Sequence, residues 1–97
     1  MSGKLETDSK EEAYADRNLL AIAFVKMALH RGYHVGRGRV LDSWVALYVQ
    51  LPTGQVSWHV RAGEVPIDLW NELRPVEWDG HDVETKRQRV REFVEGP

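Results

Sequence analysis

Between Leu19 and Leu29 apolar side chains crowd the chain: Leu19, Leu20, Ile22, Ala23, Val25, Met27, Ala28 and Leu29. The band is too wide for one stripe of a surface helix, and it ends at Gly32, a natural residue for the turn that closes a helix. Upstream, Ser9-Lys10-Glu11-Glu12 matches a capping box, in which a serine and a glutamate satisfy each other's free backbone N–H groups. The pattern predicts one helix from about Lys10 to Arg31, ~33 Å long at 1.5 Å per residue. A helix that is apolar nearly all round is buried on more than one side. One side is expected against a sheet and the other against a second copy of the chain, giving a homodimer or higher homo-oligomer through Leu19–Leu29.

The period then changes. Trp44 to Leu51 is rich in strand formers and apolar on both faces. Pro52-Thr53-Gly54 supplies a tight turn, and Gln55 to Val60 alternates strictly. Val56, Trp58 and Val60 share the face expected to feed the core; Gln55, Ser57 and His59 share the polar one. The two runs, 44–51 and 55–60, form a hairpin. An isolated hairpin is marginal in water, so Tyr33 to Arg39 is the candidate third strand. Downstream, Val65, Leu69, Trp70 and Leu73 fit a short amphipathic helical turn starting near Pro66 and ending before Pro75. Asp82 caps a last helix from about Val83 to Glu95, with a thin apolar edge of Val83, Val90, Phe93 and Val94. The fold class is α+β: a long N-terminal helix, a small antiparallel sheet and a C-terminal helix. Residues 1–8 read as a disordered tail and 9–97 as a single domain.

Composition narrows the function classes. With no cysteine there is no disulfide framework, thiolate metal site or cysteine nucleophile. No apolar run reaches the ~18 residues of a membrane span, and the polar start Met1-Ser2-Gly3-Lys4 does not resemble a signal peptide. A soluble, cytoplasmic protein is the expectation. The net charge of −2 is uneven. Lys4 and Lys10 face Glu6, Asp8, Glu11, Glu12 and Asp16 over residues 1–16, leaving 11 basic against 10 acidic groups in the remainder. That balance disfavours general nucleic-acid binding, which needs a larger basic excess.

The densest chemistry is Trp78-Asp79-Gly80-His81-Asp82, with an aromatic ring, carboxylates and an imidazole around a glycine at a helix start. Lys86 and Arg89 on the first turns of that helix add positive charge. His59, on the polar strand face with Ser57, is the second focus. Ser57 and His59 diverge along their strand and do not form a nucleophile–base pair. Adding His59 to His81 and Asp79 would make a two-histidine, one-carboxylate metal set, but no spacing demands it, and neither a metal nor a cofactor is expected. His30 complements the C-terminal end of the long helix. Gly36-Arg37-Gly38-Arg39 reads as a flexible connector rather than a phosphate wrap.

The run Leu51-Pro52-Thr53-Gly54-Gln55-Val56-Ser57-Trp58-His59, followed by Trp78-Asp79-Gly80-His81 and a Glu84/Lys86/Arg89 helix, resembles a family of small proteins of bacteriophages and prokaryotes. In these an LPTGQVSWH strand precedes a DGH(T/S)xxEK helix start. The resemblance covers residues 44–94 and leaves the N-terminal helix outside. It implies no mechanism, but it does imply that the hairpin's polar face and the Trp78–His81 loop act as one unit. Asp82 stands where the family pattern has Thr or Ser, which keeps the cap and adds a charge that opposes an anion there.

The leading functional expectation is a non-enzymatic module binding a small ligand, such as a nucleotide or nucleotide signal, as a phage-type accessory protein. Its candidate site residues are Gln55, Ser57, His59, Trp78, Asp79, Gly80, His81 and Lys86. One alternative is a protein–protein interaction module acting through residues 19–29. The other is a small hydrolase or lyase using His59 and His81 as acid and base, with Asp79, since imidazoles titrate near neutrality.

Overall fold

The computed structural model describes residues 17–96. The proposed tail, the Ser9 capping box and the helical segment before residue 17 lie outside them. Over residues 17–30 the chain is helical (α1). α1 ends where glycine permits: Gly32 takes φ +88°. Its N–H donates to Leu29 O at 3.0 Å and that of Tyr33 to Ala28 O at 2.9 Å. These two bonds make a Schellman cap.

Four strands follow as one sheet in the order β3-β2-β1-β4. β1 is Val35–Arg37, β2 Trp44–Leu51, β3 Gly54–Arg61 and β4 Arg74–Pro75. β2 and β3 form the expected hairpin, with Leu51 opposite Gly54 and Ser57 opposite Tyr48. The sheet is mixed rather than antiparallel, because β4 runs parallel to β1 through Gly36↔Arg74 and Arg37↔Pro75. A 3-10 turn (Ala62–Glu64) and a one-turn helix α2 (Ile67–Trp70) carry the chain from β3 round to β4. The final helix α3 is Val83–Glu95.

Gly36-Arg37 is thus no connector. β1 lies inside the sheet, and the glycine is required there. A Cβ on Gly36 would sit 2.8 Å from Arg74 O and collide with the Val76 side chain, which crosses directly over it. The Arg37 guanidinium on the other face stacks 4.7 Å from the Trp70 ring centre.

The two sheet faces have different fates. Val45, Leu47, Val49, Leu51, Val56 and Val60 are buried with Ala21, Ile22, Val25 and Ala28 of α1 and Val65, Leu69 and Leu73 from the α2 region. Trp58 shares that face but is only half-buried, tilted against Phe24 with ring centres 5.0 Å apart. Buried Asn18 ties α1 to the 3-10 turn by donating from Nδ2 to Glu64 Oε2 at 3.0 Å. Burial of α1 is one-sided within this chain. Ile22 and Val25 face the sheet, whereas Leu19 and Leu20 are 64% and 72% exposed.

The opposite face carries Ala46, Tyr48, Gln55, Ser57 and His59. It receives the segment from Val76 to Asp82. α3 then packs beside β3, where Val90 and Phe93 join the core edge and Phe93 meets Phe24 and Tyr33 edge-on. Val83 and Val94 of its expected apolar edge are exposed. Among the described residues no helix is long and apolar enough to cross a membrane.

Candidate functional site

The strand period fixes which β3 side chains meet the Trp78–His81 loop. Gln55 and Ser57 lie two residues apart on the polar face, and each holds one part of the loop. Gln55 is buried and works as a two-sided clamp. Its Nε2 donates to Glu77 O at 2.9 Å, and its Oε1 accepts from the Asp79 N–H at 3.0 Å. Two residues on, the Ser57 hydroxyl lies 3.0 Å from His81 Nε2.

The loop then closes on itself. Asp79 Oδ1 accepts the His81 backbone N–H at 3.0 Å and lies 2.6 Å from His81 Nδ1. Gly80 supplies the bend between them at φ +87°, a conformation that side-chain-bearing residues rarely adopt. Asp79 Oδ2 accepts from Arg89 Nη1 at 2.9 Å, and the same nitrogen donates to Gln55 O at 2.8 Å. Arg89 reaches both because Gly54 has no side chain: a Cβ there would stand 2.6 Å from Arg89 Nε. Thr53 in the hairpin turn completes the lock, donating to Arg89 O at 2.7 Å.

Electrostatics follow from this geometry. The bond from His81, then its backbone N–H and the Arg89 guanidinium, hold the Asp79 carboxyl down at about 2 against an ordinary 3.8. With the carboxylate facing Nδ1, that nitrogen carries the proton and donates. In the neutral imidazole Nε2 then bears the lone pair and accepts from the Ser57 hydroxyl. The His81 side chain is buried, with Trp78 edge-on at 5.9 Å between ring centres.

Beside this lattice lies a groove of about 550 Å³ lined by Tyr48, Ser57, Trp58, His59, Trp78, His81 and Lys86, with Arg17, Ala46, Asp82 and Val83. Trp78 is 57% exposed. The Lys86 ammonium sits 4.7 Å over the Trp58 ring. Burial, and secondarily the charge of Arg17, lowers the Lys86 pKa. Burial raises that of the Tyr48 phenol. Asp82 caps α3 at the groove's edge, accepting from the Thr85 N–H at 2.7 Å.

Of the eight expected site residues, Ser57, His59, Trp78, His81 and Lys86 line the groove. Gln55, Asp79 and Gly80 brace it from behind. Tyr48 and Trp58 escaped the sequence reading as groove residues because they read as strand core. Arg89 did not read as the loop's counter-ion, since only the fold brings the second turn of α3 back over Gly54. Among the described residues no group of three His, Asp or Glu side chains converges as a metal site.

No curated protein and no solved structure matches the chain. The family model described as the WDGH domain matches residues 2–93, a span that takes in the N-terminal segment as well as all but the last residue of the region 44–94 on which the resemblance rested. With nearly the whole chain matched, and Trp78-Asp79-Gly80-His81 at the centre of its densest hydrogen-bond lattice, this protein belongs to the WDGH domain family.

Proposed function

We propose that the groove binds a small aromatic anion of the nucleotide type. The observation that carries this reading is the composition of the walls. Trp78 supplies an exposed ring, and the partly desolvated Lys86 ammonium, seated over Trp58, and Arg17 supply positive charge in the same groove of about 550 Å³. A base can stack on such a wall while its phosphate meets the cations. Ser57 and His59 add polar contacts along one edge. Sequestration of a nucleotide signal by a phage-type accessory protein is the biological use this reading favours.

Titration with AMP and ADP, followed by tryptophan fluorescence, tests it. Saturable quenching is expected, weakened about tenfold by Trp78→Ala, since stacking a base contributes ~1–3 kcal/mol. Lys86→Ala should weaken the phosphate-bearing ligands more than adenosine. No saturable change with either nucleotide refutes the reading.

A homodimer through α1 is the second reading, favoured by the adjacent exposed side chains of Leu19 and Leu20. No contact pairs His59 with His81 as acid and base: the polar partners of the His81 ring are Ser57 and Asp79.

A further inference from the structure

We propose that Ser57 is an activated nucleophile, making the groove an acyl-transfer site for carboxylic esters. The inference stands on the order of contacts, whatever ligand the groove holds. Asp79 Oδ1 lies 2.6 Å from His81 Nδ1, and His81 Nε2 lies 3.0 Å from Ser57 Oγ. The carboxylate fixes the imidazole tautomer, and the imidazole's free lone pair faces the hydroxyl. That is the set of roles by which a weak hydroxyl nucleophile is activated on many unrelated folds.

Two features distinguish this arrangement from a serine that only braces a loop. Ser57 is not sealed in: it lines the groove, so an ester carbonyl can approach its oxygen. The relay is also held from behind at Asp79. Arg89 fixes the second oxygen of Asp79, and Gln55 fixes the Asp79 backbone, so the carboxylate cannot swing to another partner.

Lys86 and Arg17 line the groove too and are the groups there that can stabilise developing negative charge, which the Asp82 carboxylate at the amino end of α3 opposes. His59 on β3 and Tyr48 on β2, the cross-strand partner of Ser57, are further titratable groups lining the groove.

The chemistry balances without a co-reactant other than water. Ser57 Oγ attacks the ester carbon as its proton passes to His81 Nε2, and the carbonyl oxygen takes the displaced electron pair. Collapse of that oxyanion breaks the ester C–O bond, and His81 returns the proton to the departing alcohol. Water repeats the two steps on the acyl-serine, releasing a carboxylic acid and restoring the hydroxyl. Ser57 and His81 are the catalytic residues; Asp79 and Arg89 are positioning residues.

The wild-type protein is treated with an alkyl fluorophosphonate and analysed by intact mass and peptide mapping. One adduct is expected, on Ser57 and absent from Ser43, the other described serine. Because the chain contains no cysteine, a Ser57→Cys variant offers a second measurement at a unique thiol. Paired with His81, that thiol should be alkylated by iodoacetamide at pH 6 roughly tenfold faster than N-acetylcysteine, through a depressed thiol pKa. An activated thiol without a phosphonate adduct also supports the relay and places the failure in the fit of the probe. No adduct on Ser57, together with a thiol that titrates in the ordinary range near ~8.5, overturns the proposal.

Discussion

Replacing Asp79 by Asn removes one charge and, with it, the oxygen that accepts from Arg89, while the amide keeps an oxygen that can accept from the His81 N–H and Nδ1–H. The carboxyl titrates at about 2 in the folded protein against an ordinary 3.8. A difference of ~1.8 units corresponds to about 2.4 kcal/mol at 1.36 kcal/mol per unit. The Asp79 side chain is 40% exposed, so water screens part of this, and about 1 kcal/mol is the better expectation. The sign follows from the depressed folded value. The stabilisation is complete above the unfolded pKa, declines as pH falls through 3.8, and is gone below about 2. At pH 3 roughly half should remain. Urea unfolding followed by tryptophan fluorescence at pH 7, 5, 4 and 3 measures it. Asp79→Asn should be less stable by about 1 kcal/mol at pH 7, equivalent to a Tm drop of roughly 4–8 °C for a domain this size. The gap between the two proteins should narrow by half at pH 3. A variant as stable as wild type at pH 7, or a gap that does not change with pH, would refute the assignment of Asp79 as the charged anchor of the loop.

Two further outcomes test the fold and its surface. Gly36→Ala should destabilise by about 1–3 kcal/mol in the same urea assay, because its Cβ would meet Arg74 O and Val76 where the chain crosses the sheet; an unchanged midpoint would disprove that close approach. Leu19→Glu with Leu20→Glu should leave far-UV circular dichroism intact and abolish any self-association seen by sedimentation, whereas Ile22→Glu should unfold the chain because Ile22 is buried against the sheet; self-association that survives the double substitution excludes α1 as the interface.

The parts legible in the sequence are those written in local periodicity. Strict alternation from Gln55 to Val60 located β3 and assigned its faces, and Asp82 followed by a helical period located α3 to the residue. Gly32 marked the end of α1 because only a positive φ closes a helix that way. β4 was not legible, since two residues carry no period, and its parallel pairing depends on a chain reversal through α2. Gly36 signalled flexibility, whereas it answers a tertiary crossing by Val76 that no neighbouring residue announces. The site was half legible. Ser57, His59, Trp78, His81 and Lys86 were chosen as residue types able to contact a ligand, and all five line one groove. The pairing of Ser57 with His81 was not readable, because the two are 24 residues apart and their meeting is set by sheet register and loop crossing. Ser57 was weighed against the wrong histidine, its neighbour on the strand.

The position of Arg89 has a consequence for how the protein behaves at high concentration. A sheet normally ends in rows of unpaired amides and carbonyls that recruit strands from other molecules, the first step of fibre growth. Here the outer side of β3 offers its Gln55 carbonyl to Arg89, and α3 lies alongside. The other margin ends in a two-residue strand whose Pro75 has no N–H to give. Arg89, which organises the Trp78–His81 loop, therefore also occupies part of the β3 margin. A lesion at Gly54 or Arg89 would release the loop and expose a strand margin in the same event, so loss of the groove and the onset of aggregation should arrive together.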